Sequence, residues 1–231
     1  MILFRYVILC AVFLLFPGTI AVYIAYAATA TEFPNNEGPL PIVSNMFEKW
    51  PLAGSMTFGL GASLLVAGIL AELAVVTTAV AAGMLQGDAG WSRRVNRIAV
   101  CCVIGVSSAW GVVGSSNYFE SAFISGFHDA SALVFMVSSI LIYVDVATLM
   151  QLAQPQHRAS CGVWPRGPAV FMVIAGFIAV FSALMMQIVG RVQIWQQLLA
   201  GAELLLLVSS AVGYSVLAAT YKRSSYLALS H

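Results

Sequence analysis

In the run Ser125 to Ser139, SGFHDASALVFMVSS, an imidazole and a carboxylate stand side by side where a long apolar stretch begins. His128 is the residue type for a general base, and an acid such as Glu203 would orient the ring and stabilise its charged form. Neighbours on a helix diverge by about 100°, so His128 and Asp129 cannot serve each other as a dyad. Their partners must come from elsewhere, and Glu203 and the first connecting loop are the candidates. A plainer account stands beside this one. Ser125 would cap the helix, an acid in its first turn would suit the macrodipole, and an imidazole at that level would be hydrated.

Other chemistries fail on inventory. A membrane haem needs two histidines at matching depth, but His157 and His231 fall on the opposite side from His128. Zinc wants three ligands and an open position, whereas the His128 layer offers one histidine and carboxylates, so no metal is expected. A serine nucleophile with His128 as base would use Ser121 or Ser125, and no elbow motif surrounds either. No cofactor is implied. A second polar layer holds Glu72, 17 residues past Ser55, and Asp145, 17 past His128, each therefore about 25 Å farther along its span. With Arg94 and Arg97 nearby, Glu72, Asp145 and Arg97 are expected to form structural ion pairs.

The elements that must position these groups follow from composition. Of 231 residues, 61% are hydrophobic and 8% charged, against about 25% charged in soluble domains, so the chain cannot cover a globule with polar surface. It is expected to be an all-α polytopic membrane protein, a single six-helix transmembrane bundle. Continuous apolar runs, without the alternation of barrel strands, place spans at about 2–27, 55–84, 95–115, 125–152, 169–190 and 195–221. Loop 28–54 and tail 222–231 flank them, and the long apolar region at the start reads as a retained span despite an Ala25-Tyr26-Ala27 that mimics a cleavage site. Arg93, Arg94 and Arg97, then Arg158 and Arg166, then Lys222 and Arg223 mark cytosolic connections, while Glu32, Glu37, Glu48 and Glu120 mark exterior ones. Both termini are then cytosolic.

A net charge of +1 with dispersed bases excludes a nucleic-acid surface. No cysteine lies in an exterior loop, so no disulfide framework is available. Small residues let helices approach in lipid. Ser55, Gly59, Ser63, Ala67 and Ala71 on the second span and Ser107, Gly111 and Ser115 on the third therefore read as packing seams.

Short motifs add a family likeness. Pro39-Leu40-Pro41-Ile42-Val43-Ser44-Asn45, with Pro51, Ser55 and Phe58 following, resembles the P-x-L-P-x-I-S-D signature of the damage-regulated autophagy modulator (DRAM) proteins. His128-Asp129 with Ala132-Leu133 resembles their H-D-x-x-A-L opening of span four. Asn117-Tyr118-Phe119-Glu120 is similar to N-F-Q-E, and Ala202-Glu203 to the acid of C-E-W. Asn45 stands where the family usually has Asp. The resemblance implies one exterior polar cluster of His128, Asp129, Glu203, Glu120, Pro41, Ser44 and Asn45, binding a lipid head group or a partner. It implies a non-catalytic regulator of autophagy or of lysosomal or plasma-membrane lipid homeostasis, residing in endolysosomal or plasma membranes. The expected partners are a membrane lipid and a membrane or cytosolic protein, with no nucleic acid. The alternative is a lipid-remodelling enzyme or factor, acting on glycosylphosphatidylinositol anchors or phospholipids, with His128 as general base.

Overall fold

A computed structural model describes residues 9–29, 42–81, 90–115, 122–153, 166–190 and 192–227, and every element among them is a helix. We number them α1 (9–29), α2 (Val43–Lys49), α3 (51–81), α4 (Trp91–Ser115), α5 (Ala122–Ala153), α6 (Arg166–Val189) and α7 (Gln193–Leu227). All except α2 are long and apolar enough to cross a membrane, which makes the chain a multi-pass membrane protein.

Helix ends depart from the apolar runs for local reasons. α3 starts at Pro51 rather than Ser55, since proline suits a first helical turn that needs no N–H partner. α4 starts at Trp91 and takes in the arginines at 93, 94 and 97. α7 runs on to Leu227, past the expected end at 221. No proline or glycine interrupts 91–94 or 222–227, and the helical ladder continues past the apolar run. Between α6 and α7 the turn is tight: Gly190 takes φ of +96°, a left-handed conformation natural to glycine, and its carbonyl accepts the Val192 N–H at 2.8 Å. The two helices consequently pack along each other, as α4 and α5 do, with α6 also meeting α5.

Two spans carry an over-wide turn. In α1, Leu14–Gly18 is π-helical with Pro17 inside it. Proline lacks an N–H, and the i→i+5 pattern turns the Phe13 carbonyl toward the next residue along. In α3, Ser55–Gly59 is the second π-turn. The two turns pack against each other. Gly61 lies so close that a Cβ there would come within 2.8 Å of the Leu15 backbone. Thr19 and Thr57 donate their hydroxyls to the carbonyls of Leu15 and Ala53, at 2.5 and 2.8 Å, holding the polar backbone of these turns occupied in an apolar setting.

Aromatic rings tie the spans together. Phe58 of α3 lies 4.7 Å from Phe135 of α5. Tyr214 of α7 stacks on Phe16 of α1 at 5.8 Å and meets Tyr143 of α5 edge-on at 5.6 Å. Each pair adds about 0.5–1.5 kcal/mol beyond the area it buries.

The expected seams are partly displaced. On α4, Gly105, Gly111, Val112 and Ser115 meet α5 at Ser138, Ser131 and His128, so Gly111 and Ser115 keep to the expected seam, whereas Ser107 is exposed. On α3, Gly59 seats the Trp110 ring and Ser63 Oγ accepts its indole N–H at 3.0 Å, but Ala67 is exposed. A four-residue repeat drifts about 40° per step around an α-helix, so the seam walks off the interface.

Candidate functional site

Part of the segment read as a loop, Val43–Lys49 within 28–54, is α2. Val43, Met46 and Phe47 recur at i, i+3 and i+4 and are buried, with Trp50 following on the same face. Glu48 and Lys49 occupy the exposed face. Phe47 drops into a seat left by Gly54, where a Cβ would come within 2.4 Å of the ring, and lies 5.4 Å from Phe58. Trp50 meets Tyr26 of α1 edge-on at 5.9 Å. This short helix thus plugs one end of the bundle, touching α1, α4 and α7.

Glu203 fastens it. The Val43 N–H, the first orphan donor of α2, donates to Glu203 Oε2 at 2.8 Å across 160 residues. Ile42, the N-cap residue, provides no side-chain acceptor. A carboxylate from α7 fills that role, at the helix end where the macrodipole favours negative charge. The structure therefore brings Glu203 to the motif that begins at Pro39. Ser44 and Asn45 are helical positions of α2 whose side chains lie outside the described residues, as do Pro41 and Glu120 altogether.

His128 turns into the bundle. It is 4% exposed, and its Nδ1 lies 3.1 Å from Ser115 Oγ and 3.1 Å from the Val112 carbonyl. A carbonyl only accepts, so Nδ1 carries the proton and donates it, which leaves the lone pair on Nε2. Ser115 Oγ donates in turn to the Gly111 carbonyl at 2.5 Å. His128 is therefore a polar clamp between α4 and α5. At Gly111 a Cβ would come within 2.6 Å of Ser131 Oγ, showing how closely the helices meet beside it. Asp129, one residue on, is exposed, as the 100° step requires.

A readable signal for this direction existed. His128, Ser131, Phe135, Ser138, Ile142, Asp145 and Leu149 are all buried and recur at steps of three and four. His128 and Asp145 accordingly share one face of α5, and Asp129 lies off it. At the other end of that face Arg97 donates through Nε and Nη2 to the two oxygens of Asp145, each at 2.5 Å. The carboxylate is buried while the guanidinium is 56% exposed. Glu72 stands outside this pair, because its Oε2 is buried without a hydrogen-bond partner among the described residues.

Sequence reading missed Val112, whose carbonyl holds the imidazole, and Trp110, which bridges α3 and α4, and took Ser115 for a packing residue without its contact to His128. Among the described residues no group of three His, Cys, Asp or Glu side chains is arranged to hold a metal. No family model, curated protein or solved structure matches the chain.

Proposed function

We propose that this multi-pass membrane protein is a non-catalytic regulator of membrane lipid state or trafficking, working through the end of the bundle closed by α2. The observation that carries it is the bond from Val43 N–H to Glu203. It ties the proline-rich motif to the last span and builds a rigid, acid-fastened plug where a head group or a partner would dock. The commitment of His128 to holding α4 against α5 supports a structural role for that residue. Likeness to DRAM proteins in the same motifs supports an endolysosomal or plasma-membrane setting and a part in autophagy or lipid homeostasis.

A lipid-remodelling enzyme is the alternative. One observation favours it: the Nδ1 proton is fixed on the Val112 carbonyl, which is the tautomer a general base at Nε2 needs. The deciding experiment reconstitutes the full chain in vesicles of mixed glycerophospholipids and analyses the lipids by mass spectrometry. The expected result is an unchanged lipid composition and one head-group class that co-purifies with wild type, about tenfold less of it with Glu203→Gln. A lipid product formed by wild type and absent with His128→Gln would overturn the regulatory function in favour of the enzyme.

A further inference from the structure

The exposed side of α4 is one continuous strip. Arg93, Arg97, Val100, Ile104 and Ser107 recur at steps of three and four and are all exposed, so they fall within about 80° of one another around the axis. The strip changes character once. Two guanidinium groups open it, and from Val100 to Ser107 it runs about 10 Å over apolar and small side chains. The Arg97–Asp145 pair and the approach of Gly105 to Ser138 fix the level of α5 beside it. Leu141, one turn before Asp145, is thereby exposed at the height of Val100 and Ile104.

Arg93 and Arg97 stand four residues apart on this face, which separates their Cβ atoms by about 6 Å. Arg97 gives Asp145 one N–H from Nε and one from Nη2. The pair at the end of its fork, one N–H on each Nη, remains for a second oxyanion. A planar fork of that kind matches two oxygens of a phosphate. Arg94 curls back over Gly90, where a Cβ would come within 3.1 Å of its Nη1, and leaves the face to the other two. Even with Glu72 of α3 counted beside Asp145, the three arginines give this end of the bundle a surplus positive charge among the described residues. One phosphodiester would complement it.

We propose that this face of α4 binds an anionic glycerophospholipid of the adjoining leaflet, with its phosphate on Arg93 and Arg97 and one acyl chain along Val100, Ile104 and Ser107. A soluble phosphate would use the arginines and leave the apolar strip bare. A lipid without net charge would cover the strip and leave the surplus charge unanswered. Only an amphiphile of negative charge matches both halves, in the order and on the side that the helix presents them. The site involves neither Glu203 nor α2, so its failure leaves the regulatory function proposed above untouched.

The test offers the full chain in detergent equal amounts of dioleoyl phosphatidylglycerol and dioleoyl phosphatidylcholine and reads the lipid retained by native mass spectrometry. Phosphatidylglycerol should be preferred about twentyfold. Arg93→Gln should lower the preference to about fourfold, as should Arg97→Gln combined with Asp145→Asn, a pair that strands no buried carboxylate. Lys222→Gln, which removes the same charge from the tail, and Glu203→Gln should keep the wild-type preference. Soluble glycerol phosphate should not compete, and phosphatidylglycerol with a diazirine on its acyl chain should cross-link within residues 100–107. Equal retention of the two lipids, a preference untouched by both arginine variants, or a loss as large with Lys222→Gln or Glu203→Gln would overturn the proposal. Competition by glycerol phosphate, or cross-links that fall only outside 100–107, would overturn it as well.

Discussion

Two side chains carry the polar architecture of the α2 end, and they do so by different chemistry. Glu203 supplies a charge-assisted acceptor to the Val43 N–H, and bonds of this kind contribute about 1.5–3 kcal/mol. Glu203→Gln keeps the shape and weakens the acceptor. It should speed hydrogen exchange at the Val43 amide well above that of the Tyr143 amide in the core, and equal exchange in mutant and wild type would show that the carboxylate does not fasten α2. His128 is a neutral donor in a crowded seam. His128→Ala removes a bond and a ring together, so a loss of about 2 kcal/mol in stability is expected. Ser115→Ala keeps the Val112 acceptor and should lose less than half as much in the same unfolding measurement.

At the scale of helices, close approach sets what each position tolerates. A methyl at Gly61 would press on the Leu15 backbone, which cannot swing aside as a side chain would. Gly61→Ala should therefore cost about 1–3 kcal/mol, whereas Gly114→Ala, with open space around it, should match wild type or exceed it slightly. Thermal unfolding of the two variants in one detergent compares them directly. The six spans were legible because apolar runs of about 20 residues have one solution in lipid. The Arg97–Asp145 pair was legible too, since buried charge in a span demands a partner. α2 was not. Its Val43, Met46, Phe47 pattern is helical, but seven residues after a proline-rich stretch carry too little period to separate from a loop. The π-turns left no trace in composition apart from Pro17, and the inward turn of His128 lay in the phase of α5 rather than in its adjacency to Asp129.

For the molecule as a whole, charge bears on both the expected orientation and cohesion. The arginines at 93, 94 and 97 and the exposed Glu48–Lys49 face lie at opposite ends of helices that cross the bundle. A membrane-impermeant maleimide applied outside cells should label Glu48→Cys and spare Arg93→Cys, as the distribution of bases expects. The reverse pattern would invert the topology. Cohesion at the arginine end depends on Asp145 being answered. Arg97→Ala should therefore be less stable than the double variant Arg97→Ala with Asp145→Asn, because the second change removes the buried charge the first one strands. The two π-turns carry a consequence of a different kind. Each stores one surplus residue in the winding of its span. Deleting Met56, within Ser55–Gly59, would let that segment rewind as ordinary helix while the rest of α3 keeps its contacts. Deleting Val66 offers no such slack and would rotate every residue beyond it by about 100°. Point deletions, normally ruinous in a membrane helix, should then be survivable at 55–59 and lethal to folding seven residues on.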